Sequence, residues 1–314
     1  MKFAFIIDPI AGLKAAKDSS IAMMREAARR GHEVWAFEAR EMFFDGMVTT
    51  QARHLAVSSE SDDWYREEGE STQPLSYWDA VLMRKDPPFD LEYLYATQLL
   101  SVAEANGAWI VNSPRALRDW NEKLGILGFP QFSPRTLVTS DPGRLHGFIE
   151  SEGDVVLKKL DGMGGAMIFR VGAADPNRNV IIETISQDGT RTVMAQRYLP
   201  EIAKGDKRVL VIDGKVVPFS LARIPKAGET RGNLAAGGRG VAQPLSARDR
   251  EIAEGVAPRL QEAGILFAGL DVIGDRLTEI NVTSPTCMAE IFAQAGYNAA
   301  ADFIDALERR PAAG

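Results

Sequence analysis

The sequence predicts an α/β protein in which a parallel sheet comes first and antiparallel sheets follow. In the first third, short apolar runs alternate with segments of helical spacing, beginning with the run Phe3–Ile7 and a helix that Asp18 or Ser19 can cap. From about residue 121, short strand-like segments separated by Gly and Pro replace this pattern. We therefore expect three units, over residues 1–120, 121–200 and 201–314.

Most elements of the first unit are predicted by apolar runs and helix signals. Strands are expected at Val34–Phe37, Ala80–Met83 and Trp109–Val111, and a helix at Leu91–Ala105, which ends at Asn-Gly. The polar segment Ser58–Glu70 is interpreted as a solvated loop or edge excursion. We expect a parallel layout through about residue 120, with ligands at the carboxyl ends of the strands.

The later segments predict two antiparallel sheets. An Asp-Gly pair between two strand-like runs indicates a hairpin, and Ser246 with Asp249 resembles a helix capping box. The expected strands are Asp154–Leu160, Ala166–Val171, Thr192–Leu199, Lys207–Ile212 and Lys215–Arg223.

The stretch Ala268–Cys287 carries three oxygen-bearing side chains at a spacing that suits a hard metal ion. Glu279 and Asn281 are two residues apart on a predicted strand and share a face, while Asp271 lies one strand earlier. Carboxylate and amide oxygens are ligands that Mg²⁺ accepts and Zn²⁺ does not prefer. A two-residue hairpin loop would turn Asp271 away from Glu279, so we predict a three-residue turn, Gly274–Arg276.

A glycine-rich turn, Asp161–Gly165, lies between two predicted strands. Glycines let backbone N–H groups approach phosphate oxygens closely, although a tight hairpin turn is the ordinary alternative. A lysine just upstream favours the phosphate interpretation. Periodicity alone does not decide between Lys158 and Lys159, because both faces of the strand are apolar.

A second glycine-rich segment spans residues 228–240, with five glycines in thirteen residues and two arginines, Arg231 and Arg239. A flexible connector is the ordinary interpretation of such composition. Arg208 and Arg223 on the preceding strands favour the alternative, a mobile cover over residues 226–241 that closes on an anionic substrate and excludes water.

Composition excludes several classes of function. The net charge of -7 argues against nucleic acid as a partner. The apolar run before Asp8 is too short for a signal peptide or a membrane span, and the lone Cys287 excludes an internal disulfide framework, so we expect a cytoplasmic protein with no membrane partner. There is no HExxH, GxSxG or GxGxxG motif of the kind that zinc hydrolases, serine hydrolases or dehydrogenases use.

Together these motifs resemble the bacterial glutathione synthetase family of the ATP-grasp superfamily. The resemblance covers the full length, from DPI and KDSS near the start through MRKDPPFD and NEKL to the glycine-rich and metal-binding segments. It implies a Rossmann-like N-terminal domain followed by a two-subdomain ATP-grasp fold. It also implies a homo-oligomer, either a dimer or a tetramer. The family more commonly has proline where this chain has Lys159.

The activity that this resemblance implies is the ATP-dependent joining of γ-glutamylcysteine to glycine, giving glutathione, ADP and phosphate. In the family, the cysteinyl carboxylate takes the γ-phosphoryl group and the glycine amine attacks the acyl phosphate. No enzyme nucleophile is needed, which fits the missing triad. The cofactors implied are ATP and Mg²⁺, with Mn²⁺ as an alternative to Mg²⁺.

The resemblance also assigns roles to individual residues. It implies that Arg208, Arg223 and Arg231 are catalytic and that Asp271, Glu279 and Asn281 hold the metal. The implied ATP-binding residues are Lys123, Lys158, Gly162, Gly164, Gly165, Gln196, Tyr198, Leu199 and Asp206. The implied substrate-binding residues are Arg84, Asn233, Ser284, Pro285 and Thr286.

Three alternatives use the same fold. A D-alanine:D-alanine ligase or a glutamate ligase acting on a peptide would need the same ATP machinery, and a non-catalytic regulator of the synapsin type would retain the nucleotide site. The arginine-bearing cover disfavours the regulator, because it would have no task without a reactive intermediate.

Overall fold

The computed structural model describes residues 1–58, 63–226, 228, 229, 232 and 237–309, and within them the chain forms three sheets. The predicted mixed α/β class is confirmed. No helix in these ranges combines the length and the apolar character that crossing a membrane requires.

The first sheet has seven strands in the order β3-β4-β2-β1-β6-β7, with β5 on the other edge of β4. They are β1 Lys2–Ile6, β2 Glu33–Phe37, β3 Met42–Asp45, β4 Met47–Val57, β5 Tyr65–Pro74, β6 Ala80–Met83 and β7 Ile110–Val111. Its helices are α1 Ser19–Arg29, α2 Leu91–Ala105 and α3 Pro114–Asp119.

The parallel layout predicted for the whole first unit is wrong for residues 42–74. Strands β1, β2, β6 and β7 pair in parallel, but β3, β4 and β5 form antiparallel ladders. Much of the segment interpreted as a polar loop belongs to β5, an edge strand whose side chains are mostly exposed. An antiparallel edge strand can face solvent, so polar residues are compatible with it and conceal it from periodicity arguments.

The second sheet is a four-stranded antiparallel unit in the order β10-β9-β11-β8. Its strands are β8 Thr136–Thr139, β9 Asp154–Lys159, β10 Ile168–Gly172 and β11 Val193–Arg197, and its helices are α4 Pro142–Glu152 and α5 Arg178–Ser186. Its buried side chains form a core cluster of their own, which includes Leu145, Leu157 and Ile182.

The third sheet has five antiparallel strands in the order β14-β13-β12-β15-β16. They are β12 Asp206–Ile212, β13 Lys215–Ile224, β14 Arg239–Pro244, β15 Phe267–Ile273 and β16 Arg276–Asn281. Helix α6, Ala247–Glu262, lies between β14 and β15 in the chain. Helices α7, Met288–Ala295, and α8, Ala299–Glu308, follow β16. The predicted capping box of Ser246 and Asp249 opens α6.

The first and third sheets share a core, which fixes their relative position. Phe3 and Ile21 belong to the same buried cluster as Phe267 and Phe303. The side chain of Asn112 bonds the backbone N–H and C=O of Phe267 and the C=O of Val282. Burial of each large apolar side chain contributes about 1.5–3 kcal/mol, so this shared core holds the third sheet firmly against the first.

The hairpin of β15 and β16 has the predicted pairing but not the predicted loop. Ile273 pairs with Arg276, so Gly274 and the next residue form a two-residue turn, and the three-residue turn is wrong. A β-bulge inserts Thr278 as one extra residue, and Asp271 consequently pairs with Glu279. The Thr278 hydroxyl donates to the carbonyl of Asp271 at 3.1 Å, which stabilises the bulge.

Candidate active site

A cavity of about 290 Å³ lies between the second and third sheets and is lined by side chains from both. It gathers most of the residues that the sequence singled out, although they are spread over more than 160 positions. The predicted site residues on its wall are Lys123, Lys158, Gly162, Gly164, Gly165, Gln196, Tyr198, Leu199, Asp206, Arg208, Arg223, Asp271, Glu279, Asn281, Ser284 and Thr286.

Strand register places five charged side chains on one face of the third sheet. Asp206 and Arg208 are two residues apart on β12 and therefore point the same way. Across the ladders, Asp206 faces Arg223, Arg208 faces Asp271, and Asp271 faces Glu279. The charges are therefore clustered by the alternation of the strands, with no special backbone geometry except the Thr278 bulge.

Two arginines and two aspartates form a buried ion-pair network at the centre of this face. Arg208 binds Asp271 through two bonds, Nε to Oδ1 at 2.5 Å and Nη2 to Oδ2 at 3.1 Å. Arg223 Nη2 lies 2.8 Å from Asp271 Oδ2 and 2.5 Å from Asp206 Oδ2. The network holds both guanidinium groups facing the cavity, where an anionic group of a substrate would meet them.

The pKa values of the two carboxylates in the network are shifted in opposite directions. Burial alone would raise the pKa of Asp271, but the guanidinium groups of Arg208 and Arg223 hold this pKa well below its usual range. Burial raises the pKa of Asp206 to about 6, against the attraction of Arg223 and with the repulsion of the Asp271 and Glu279 carboxylates. Asp271 is therefore fixed as an anion, whereas Asp206 titrates closer to neutrality.

Two lysines and the glycine-rich turn form another cationic wall. The buried Lys123 donates from Nζ to the carbonyl of Gly162 at 2.7 Å, which ties this lysine to the turn. Lys158 is also buried, and its Nζ lies 3.4 Å from Glu279 Oε1. Lys159 is absent from the cavity wall and lies 3.5 Å from Asp161, so the structure separates the two lysines that periodicity left undecided.

Part of the cavity wall is apolar. Val156 and Ile168 of the second sheet line it together with Leu199 and Ile273. The guanidinium of Arg170 lies 3.8 Å from the ring centroid of Tyr198 and holds this ring by a cation–π interaction. An apolar slot between two sheets, with a buried amide from Gln196 beside it, suits a planar heterocycle.

Glu279, Asn281 and Asp271 have the donor chemistry that Mg²⁺ requires. The amide of Asn281 donates from Nδ2 to the carbonyl of Gly269 at 3.1 Å, so its oxygen would be the atom that binds a metal ion. Asp206 Oδ1 is buried and has no hydrogen-bond partner among the described atoms. No group of three or more His, Cys, Asp or Glu side chains in the described ranges forms a metal site by itself. Phosphate oxygens and water would have to complete the shell.

Two predicted substrate-binding residues of the described ranges, Arg84 and Pro285, are not on the cavity wall. Arg231 and Asn233 lie outside the described residues, as does much of the predicted 226–241 cover. Arg84 is buried behind the wall, where it donates to the Ser20 hydroxyl at 3.0 Å and to the carbonyl of Pro285 at 2.8 Å. Burial lowers the pKa of Arg84, and its contacts support the backbone that carries Ser284 and Thr286.

Sequence reasoning missed Asp86, Glu122 and Thr283, which line the cavity. Glu122 Oε1 accepts from the Thr283 hydroxyl at 2.6 Å, and its backbone carbonyl accepts from Ile280 N at 2.8 Å. Both contacts join positions more than 150 residues apart. The available signal was the position of Glu122 beside Lys123 and of Asp86 in the MRKDPPFD motif.

The two-sheet cavity with a glycine-rich turn, two lysines and an acidic strand pair defines an ATP-grasp protein. Solved structures with the same fold include the ATP-grasp ligase PsnB complexed with its minimal precursor, with a TM-score of 0.63 and 19% identity over 98% of each chain. The D-cycloserine synthetase DcsG has a TM-score of 0.70 and 13% identity over 98% of this chain and 99% of its own. These likenesses show the fold alone.

Sequence comparison identifies the family. The model of the prokaryotic glutathione synthetase N-terminal domain matches residues 1–118, and that of the ATP-grasp domain matches residues 122–296. The chain is 57% identical to the glutathione synthetase of Nitrosomonas europaea over 98% of each sequence. It is 52% identical to that of Vibrio cholerae over 99% of this chain and 98% of the relative. The chain belongs to the prokaryotic glutathione synthetase family, which confirms the resemblance read from its motifs.

Proposed function

We propose that this protein joins γ-glutamylcysteine and glycine to form glutathione, converting ATP to ADP and phosphate. The observation that carries the proposal is the two-sheet cavity, because it combines apolar side chains, two lysines with a glycine-rich turn, and oxygen ligands. These parts match the base, phosphates and metal of a nucleoside triphosphate. Membership of the prokaryotic glutathione synthetase family supports the choice of substrates.

The nucleotide lies with its base in the apolar slot. Gln196, Tyr198 and Leu199 bind adenine, and Asp206 contacts the nucleotide on the side of the ribose. Lys123, Lys158 and the backbone N–H groups of Gly162, Gly164 and Gly165 bind the phosphates. Charge-assisted hydrogen bonds from these lysines orient the γ-phosphoryl group toward the carboxylate that receives it.

The chemistry proceeds through an acyl phosphate. The cysteinyl carboxylate of the dipeptide attacks the γ-phosphorus of ATP, and ADP leaves. The glycine amine then attacks the carbonyl carbon, and the C–O bond to phosphate breaks. Arg208 and Arg223 stabilise the negative charge that develops on the phosphoryl and carbonyl oxygens, and Arg231 from the cover joins them.

Asp271, Glu279 and Asn281 would hold the metal ion. Bound there, Mg²⁺, or Mn²⁺ in its place, would neutralise the charge of the phosphates. Asp271 has a second task in this scheme, because the same carboxylate orients Arg208 and Arg223. Ser284 and Thr286 shape the acceptor end, with Pro285 held in place by Arg84, and Asn233 contacts the peptide.

Three further properties belong to the proposal. The chain comprises domains over residues 1–120, 121–200 and 201–314, in line with the three sheets. It works in the cytoplasm. Its single cysteine, Cys287, is buried and forms no disulfide, which is typical of proteins in a reducing compartment. It assembles as a dimer or tetramer, for which the exposed Phe43, Phe44 and Met47 offer apolar surface.

Acceptor-dependent ADP release tests the proposal. Purified protein with ATP, Mg²⁺ and γ-glutamylcysteine should release ADP in a coupled assay only when glycine is added. Equal turnover with D-alanine or glutamate would favour another ligase of the same superfamily. Nucleotide binding without turnover of any amino acid would favour a regulator.

A further inference from the structure

Two carboxylates that the ligase scheme leaves without a task, Asp86 and Glu122, line the cavity together with the consecutive hydroxyl residues Thr283 and Ser284. The Thr283 hydroxyl donates to Glu122 at 2.6 Å. Glu122 is half-buried, and its backbone carbonyl accepts from Ile280 of β16, whereas Asp86 is exposed.

These two carboxylates differ in charge environment from the rest of the cavity. Asp271, Asp206 and Glu279 each lie within 4 Å of a lysine or arginine. Among the described residues, neither Asp86 nor Glu122 has such an ion pair. Asp86 therefore offers the cavity a carboxylate that no ion pair neutralises, whereas burial raises the pKa of Glu122.

The groups around Asp86 leave its carboxylate available. Arg84 is committed to Ser20 and the Pro285 carbonyl. Lys85 Nζ donates to the backbone carbonyl of Asp86 at 3.1 Å and lies 3.9 Å from Asp8, and Asp8 accepts from the backbone N–H of Asp86 at 2.8 Å. The charged and titratable groups around Asp86 are Arg84, Lys85, Asp8, Asp18 and Tyr93. Desolvation raises the pKa of Asp86, against the Ser284 hydroxyl and Arg84, with Asp8 and Asp18 adding to the rise.

We infer that Asp86 binds the ammonium group of the acceptor amino acid and removes a proton from it, with Glu122 positioning Thr283 and the end of β16. This inference rests on the proposed ligase function and deepens it. Glycine in neutral solution carries an ammonium group, which has no lone pair and cannot attack an acyl phosphate. A carboxylate without a competing cation satisfies both needs, since it attracts the ammonium and accepts its proton.

The proposed step is balanced in atoms and charge. One ammonium proton passes to an Asp86 oxygen, giving a neutral carboxylic acid. The freed lone pair forms the C–N bond at the carbonyl carbon, and the C–O bond breaks with its electron pair going to the departing phosphate. The second nitrogen proton leaves with that phosphate, and the exposed Asp86 returns its proton to water.

Replacement of Asp86 by asparagine, combined with two different acceptors, tests this role. Hydroxylamine is a weak base that is unprotonated at neutral pH, so it traps the acyl phosphate as a hydroxamate without help from Asp86. The Asp86→Asn variant should lose roughly 10²- to 10⁴-fold in turnover with glycine, the usual range for general base catalysis. It should retain hydroxamate formation from γ-glutamylcysteine within about twofold of wild type, since formation of the acyl phosphate does not involve Asp86.

A matched control is Asp119→Asn, which makes the same change at an exposed position on α3 and should leave both reactions unchanged. The glycine reaction of Asp86→Asn should also recover as the pH rises, because the solution then supplies unprotonated glycine. Unchanged turnover with glycine, or equal loss of both reactions, would overturn the role of Asp86. Absence of hydroxamate in wild type would instead contradict the proposed function itself.

Discussion

The second and third sheets both line the cavity, but they differ in how much charge they bury. The second sheet closes over an apolar core of its own, its strands bury one charged side chain, Lys158, and its ion pair of Arg170 with Asp154 is open to solvent. The third sheet buries Arg208, Arg223 and Asp271 within its face. The difference indicates that apolar packing stabilises the second sheet. The third sheet bears the desolvation cost of buried charges that its chemistry requires.

Removal of one partner from each ion pair should give the largest contrast. Asp271→Asn leaves two buried guanidinium groups with one remaining carboxylate, so we expect a loss of about 3–5 kcal/mol in the free energy of unfolding. Asp154→Asn should cost at most about 1 kcal/mol, because that pair is solvated. Denaturant titration of both variants checks this, and similar losses would remove the distinction between the sheets.

Replacement of Glu279 should affect activity much more than stability, because its one ion pair among the described residues, with Lys158, is long. Glu279→Gln should lower turnover on the order of 10²- to 10³-fold, because a preorganised charge at the phosphates is lost. Its melting temperature should stay near that of wild type. A variant that unfolded along with its loss of activity would assign Glu279 to the structural network instead.

The two adjacent lysines of β9 give a smaller and more selective effect. Lys158→Met should weaken ATP binding roughly 10- to 150-fold, the equivalent of one charge-assisted hydrogen bond. Lys159→Met serves as the matched control and should leave the affinity within about twofold, since its ammonium faces Asp161 outside the cavity. Isothermal titration with a non-hydrolysable ATP analogue measures both, and the reverse order would contradict the assignment.

The pH dependence of stability should separate the two aspartates of the network. The pKa of Asp206 is raised, so its contribution is present below the unfolded value near 4 and is lost as the pH rises through about 6. The pKa of Asp271 is lowered, so its contribution is present above about 4 and falls as the medium becomes more acidic. Melting temperatures of Asp206→Asn should therefore lose the slope between about pH 4 and 6. An unaltered slope would mean that another group titrates there.

Local sequence patterns predicted most strands of the second and third sheets, because alternation and turn residues act over a few positions. The pairing of Asp271 with Glu279 was also predicted, but for a wrong reason. The prediction assumed that the loop alone sets the register of the two strands. In the structure, the Thr278 bulge shifts the register by one residue within the strand. A bulge has no reliable sequence signature at a threonine, so only the folded hairpin displays it.

The edge strand β5 shows a different limit. Its polar residues satisfy no hydrophobic period, since neither of its faces is deeply buried. The ladder with β4 decides its conformation, and that ladder depends on a strand that is itself recognised only in the folded sheet.

By itself, the sequence determined the fold class, the family and the residue types that meet phosphate and metal, because motif spacing and strand alternation are local properties. The tertiary structure alone decided which of these charges are neutralised. It joined Arg223 to two carboxylates, turned Arg84 away from the cavity and left the Asp86 carboxylate without an ion pair. Those outcomes depend on contacts between positions distant along the chain, and electrostatic energies are set by such distances and by burial.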